Sequence, residues 1–192
     1  MRKIDVLFVL FLILLLGCKE EESPDGPYGL YEVESITSSL PVDFTNTGQQ
    51  TTEHIDDFSW CSTSKFSISW GLLSGQTPVM DMYNFIFIET VDEITKEKKI
   101  IMGCGLARRI VNLRENGNFE IRFWGGEVGS SRDPNQLQYM FDVLSLEYFQ
   151  LDKKIRMVTN QVVYDFTLEK FIEVEITYWF AYSGPLSYFS RL

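Results

Sequence analysis

From Ile172 to Tyr182 the chain alternates: Ile172, Val174, Ile176, Tyr178, Phe180 and Tyr182 fall on one face, with Glu173, Glu175 and Thr177 on the other. A period of two is that of a strand with one buried and one wet face. Phe66, Ile68 and Trp70 alternate with serines, and Phe119, Ile121 and Phe123 alternate with Glu120 and Arg122. Glu115-Asn116-Gly117-Asn118 sets Asn-Gly between two such runs, a strong short-range hairpin signal. Thr95-Lys96-Glu97-Lys98 and Asp152-Lys153-Lys154 read as further hairpin tips. The pattern predicts about eight strands, near 28–37, 65–73, 82–91, 98–113, 119–125, 137–151, 154–166 and 170–182, in up-and-down order.

No long helical pattern interrupts them. The fold class expected is all-β, an antiparallel up-and-down barrel of about eight strands, with a β-sandwich as the alternative. A barrel of that size has room for side chains alone or for one small ligand. The run from Leu137 to Leu151 is bulky on both faces, with Tyr139, Phe141, Val143 and Phe149 on one and Met140, Leu144, Leu146 and Tyr148 on the other. That predicts a local cover on the outside of the barrel.

The N-terminus follows a different pattern. Arg2 and Lys3 precede an apolar run from Val6 to Leu16, the basic and apolar regions of a secretory signal. These 11 residues, at about 1.5 Å each, cannot cross a hydrocarbon core of roughly 30 Å. Leu15-Leu16-Gly17-Cys18 resembles a bacterial lipobox, which implies cleavage after residue 17 and acylation of the Cys18 thiol. Lys19, Glu20, Glu21 and Glu22 are similar to the export signal of Bacteroidetes surface lipoproteins, which implies display on the outer face of the outer membrane. A plain soluble tether is the other reading of those charges. The division expected is a signal peptide at 1–17, an acylated cysteine and acidic tether at 18–27, and a single β domain at 28–192.

Charge narrows the partners. Without Arg2, Lys3 and Asp5 the formal charge is −11, which repels nucleic acid and anionic surfaces. Nucleic acid is therefore excluded as a partner, and the membrane is engaged through the lipid anchor. In an exported chain Cys61 and Cys104 either form one disulfide or stay as two buried thiols. Two cysteines and a distant histidine do not make a zinc site.

The stretch "YGLYEVESITSSLPVDFTNTGQQTTEHIDDFSWCSTSKFSIS" resembles uncharacterised Bacteroidetes lipocalin-like lipoproteins. The resemblance implies a calycin-type barrel and no proven ligand. Gly29-Leu30-Tyr31 sits where lipocalins carry Gly-x-Trp, which implies a basic residue such as Arg191 packed on that aromatic at the barrel floor.

Motifs of chemistry are sparse. Asp43-Phe44-Thr45-Asn46-Thr47-Gly48 has the skeleton of a calcium loop, but Thr45, Thr47 and His54 are poor ligands for a hard cation, so a plain turn and no metal is expected. His54 lies beside Asp56 and Asp57; in an extended segment it shares a side with Asp56, and a polar loop is the default reading. Glu89, Glu147, Glu173 and Glu175 alternate with apolar residues and read as a solvated face rather than a glycosidase pair. No nucleophile elbow, phosphate loop or HExxH is present, so neither an enzyme nor a cofactor is expected. The remaining signal is aromatic: 4 Trp, 15 Phe and 9 Tyr. Most belong to a core, and Trp70, Phe123, Trp124 and Trp179 are the candidates to grip a small apolar ligand. The alternative is a filled barrel that docks an envelope protein or glycan.

Overall fold

The computed structural model describes residues 26–57, 65–70, 78–123 and 141–185. The signal peptide, Cys18 to Glu22, Cys61, Trp124, residues 137–140 and Arg191 lie outside them. The described residues form nine strands: β1 (Gly29–Val42), β2 (Thr51–Glu53), β3 (Lys65–Trp70), β4 (Pro78–Val91), β5 (Lys98–Leu113), β6 (Phe119–Phe123), β7 (Phe141–Phe149), β8 (Lys154–Asp165) and β9 (Lys170–Gly184). Among the described residues there is no helix.

All pairing is antiparallel, in the order β6-β5-β4-β3-β1-β9-β8-β7, with the short β2 added to β1. The last strand returns to the first, so the sheet curls into the expected up-and-down barrel. Among the described residues one seam stays unsealed: no ladder joins β6 to β7, and just before β6 Asn118 bridges to Glu147 of β7, where the Tyr148 amide donates to Gly117 O at 2.9 Å. The Asn-Gly signal forms the β5–β6 hairpin. Gly117 sits at φ 82°, and its amide closes the turn onto Arg114 O at 3.0 Å. The other two predicted tips turn through Lys96 and Lys153, both at positive φ.

Alternation places the core inside as expected: Phe66, Ile68, Ile155, Met157, Ile176 and Tyr178 are fully buried. Two bulges alter the phase. In β1 the register with β9 slips between Val33 and Ser35, so buried positions pass from the odd residue Tyr31 to the even residues Ile36 and Ser38. In β7 the register with β8 slips between Val143 and Ser145. Val143, Leu146 and Tyr148 therefore all pack on the core while Leu144 is 53% exposed. Over its described residues, the bulk of this strand on two faces reflects a phase switch.

At the floor, Tyr31 meets Phe66 and Tyr182 edge-on at 5.9 and 5.6 Å, and Phe66 stacks on Phe180 at 4.6 Å. Residues before β1 cross beneath, with Pro27 O accepting from the Tyr31 hydroxyl at 2.8 Å and Gly26 O from Tyr148 at 3.3 Å. Gly29 is required here: its φ is 152° and a Cβ would lie 2.4 Å from the Tyr182 ring. Over that ring sits Lys153, its Nζ 5.4 Å from the centroid.

Candidate functional site

The opposite end is capped by residues 43–57. Asp43 organises the cap. Its Oδ1 accepts from the Thr47 amide at 3.0 Å and the Thr45 amide at 3.3 Å; its Oδ2 accepts from the Gly48 amide at 2.9 Å and the Thr167 hydroxyl at 3.1 Å. Burial pushes the carboxyl up, but the Thr47 and Gly48 amides, the Thr167 hydroxyl and the Thr45 amide outweigh it and hold it below its usual value. The skeleton that resembles a calcium loop is thus an Asp-centred turn, its lone pairs directed at the chain's own donors. Among the described residues no group of three or more His, Cys, Asp or Glu is placed to hold a metal. Gln50 Nε2 to Asp165 Oδ2 (2.7 Å) and the Phe166 amide to Asp43 O (3.0 Å) fasten the cap to the β8–β9 hairpin.

Under the cap lies a relay of which the local sequence suggested the histidine and its neighbouring carboxylates but not Ser38. His54 is fully buried, its Nδ1 3.0 Å from Asp57 Oδ2 and its Nε2 2.8 Å from Ser38 Oγ. The partner is Asp57 rather than Asp56, because residues 55–57 turn instead of extending, which brings positions three apart together. Ser38 joins from β1, and its direction inward depends on the bulge in that strand. Burial lowers the imidazole's pKa, and Asp57, with the charge of Glu53, reverses this only in part. A neutral ring with its proton on Nδ1 toward Asp57 leaves Nε2 to accept the Ser38 hydroxyl. That is the connectivity of a nucleophile, base and orienting acid. Two features oppose its use as one: Phe44 stacks on the imidazole at 4.2 Å, and Leu40 O lies 2.5 Å from Ser38 Oγ as a second acceptor for its proton.

Deeper in the barrel, polar groups continue across the sheet. Ser38 pairs in register with Ile176, and Ile176 with Thr159. Gln161 Nε2 donates to Thr159 Oγ1 at 2.8 Å and to the Tyr178 hydroxyl at 2.9 Å, while Thr159 Oγ1 donates to Ile176 O at 3.2 Å. All three side chains are at most 3% exposed. Burial raises the pKa of the Tyr178 phenol despite the Gln161 contact, so it keeps its proton. Among the described residues no hydrogen bond uses that proton. A polar tier therefore crosses β1, β9 and β8, with the aromatic floor below and Phe44 above.

The aromatic residues expected to grip a ligand divide differently. Trp179 alternates with the buried Tyr178 and Phe180 and lies on the outer face, 5.3 Å from Phe149. It does not line the lumen, which corrects its expected role. The side chains of Trp70 and Phe123, like all of Trp124, lie outside what the structure describes. Glu89 pairs with Lys98 at 2.7 Å and Glu147 with Arg156 at 3.8 Å, while Glu173 and Glu175 are exposed, so these carboxylates occupy the solvated face. Cys104 in β5 is disulfide-bonded. No protein-family model, curated protein or solved structure matches the chain.

Proposed function

We propose that the protein is a non-catalytic lipoprotein of the outer membrane, acylated at Cys18 and displayed on the cell surface, whose barrel holds a small and mostly apolar ligand. The observation that carries this reading is the polar tier buried within the otherwise apolar interior of the barrel. The Tyr178 hydroxyl is fully buried, accepts from Gln161 and retains a proton to donate. Buried donors are rarely left without an acceptor, and a ligand oxygen beside Tyr178 would supply one. The ligand's polar group is neutral in this reading, because an anion would meet the carboxylates of Asp43, Asp57 and Asp165 at the cap.

The aromatic floor favours a second reading, a filled barrel that acts by docking an envelope protein or glycan. Extraction of the chain purified from a native-like host, followed by mass spectrometry, separates the two. A stoichiometric small molecule that disappears in Tyr178→Phe while the fold survives supports the carrier. A folded protein that stays empty after incubation with envelope lipids refutes it and favours docking.

A further inference from the structure

We propose that the end of the barrel at which the chain enters rests on the membrane, with the β7–β8 hairpin reaching into the lipid–water boundary. This inference rests on the Cys18 anchor proposed above. Three observations converge on it. First, Gly26 and Pro27 cross the floor of the barrel, and Gly26 is 8 residues from Cys18. At no more than about 3.6 Å per residue, that length keeps the floor within roughly 30 Å of an acylated cysteine.

Second, the cap also exposes an apolar tip at Ile94, but at this end the exposed apolar tip adjoins outward aromatic rings. Leu151, in the turn between β7 and β8, is 100% exposed, and Phe149 beside it 37%. Phe149 packs on the outward Trp179. An apolar tip flanked by an outward Trp and by Lys153 suits the interface, where aromatic rings and lysine stems sit at headgroup level, while Lys154 is paired with Glu34 at 2.7 Å.

Third, charge is distributed unequally. The described turns at the floor, 114–118 and 150–154, carry two carboxylates against three cations. Segments 43–57, 92–98 and 165–170 at the cap carry nine carboxylates against three lysines. With the tether's Lys19, Glu20, Glu21, Glu22 and Asp25 included, the floor carries six carboxylates against four cations, so an anionic bilayer repels the cap more strongly than the floor.

The test uses the full acylated chain in vesicles of phosphatidylethanolamine and phosphatidylglycerol with brominated acyl chains. An environment-sensitive fluorescent amino acid is placed at position 151 or, at the cap, at position 94, where Ile94 is 92% exposed. The expected result is a blue shift and quenching at 151 and neither at 94. Quenching at 94 alone, at both positions or at neither overturns the orientation. Intact mass on the same sample separates the two failures. An unacylated Cys18 overturns the anchor and the docking together, whereas an acylated chain with no quenching at 151 overturns the docking alone.

Discussion

Replacing Asp43 by Asn tests whether one carboxylate holds the cap in place. Asparagine keeps one acceptor oxygen, enough for the Thr45 and Thr47 amides, and puts an amide donor where Oδ2 receives the Gly48 amide and the Thr167 hydroxyl. The hydroxyl can rotate to accept, but the Gly48 amide cannot. A hydrogen bond to a charged group contributes about 1.5–3 kcal/mol. Losing one outright and weakening the rest gives an expected cost of about 3 kcal/mol, because Asp43 is 1% exposed and water cannot substitute. For a domain of this size that lowers Tm by roughly 6–12 °C. Urea unfolding monitored by near-UV and far-UV circular dichroism reads the loss, and hydrogen exchange at the Gly48 amide reads its local origin. A variant within about 0.5 kcal/mol of the parent, or a parent chain stabilised by calcium, would refute the Asp-centred turn.

The relay under the cap predicts a pH dependence. The His54 pKa is lowered from 6.5 by folding, so the unfolded chain binds more protons just below that pH. Stability is then complete above pH 6.5 and declines as the pH falls toward the folded value, by at most about 1.4 kcal/mol per pH unit. Urea midpoints between pH 7.5 and 5.5 should show that slope in the parent and not in His54→Gln. At the floor, Gly29→Ala drives a methyl to 2.4 Å from the Tyr182 ring and 2.9 Å from Gly184 O; thermal melts should show a loss of roughly 2 kcal/mol or more. In the lumen, Gln161→Leu removes the donor to Thr159 and Tyr178, and should cost about 1–3 kcal/mol and abolish ligand co-purification. Parent-like stability in that variant would mean the tier is not a connected network. Ser38→Ala should lose about 1 kcal/mol and leave any reaction with a fluorophosphonate probe unchanged; labelling of Ser38 in the parent alone would overturn its structural role.

The alternation from Ile172 to Tyr182, the serine-spaced Phe66 and Ile68, and the Asn-Gly at 116–117 were enough to specify antiparallel strands and at least one hairpin, because side-chain direction and turn type follow from local chain chemistry. The same alternation puts Trp179, between Tyr178 and Phe180, on the outer face, against its expected role in gripping a ligand. What local pattern did not contain was the phase. Bulges near Glu34 and Leu144 reverse which residues face in, and a bulge forms from a mismatch between paired strands, which neither strand reveals alone. The site depends on this. Ser38 faces His54 only because β1 has switched phase, Thr167 reaches Asp43 across 124 positions, and Gln161 meets Tyr178 because β8 and β9 pair in a particular register. Sequence therefore determined the element types and predicted the address; tertiary pairing decided which polar side chains are buried together, because hydrogen bonding between distant residues is set by register rather than by neighbourhood.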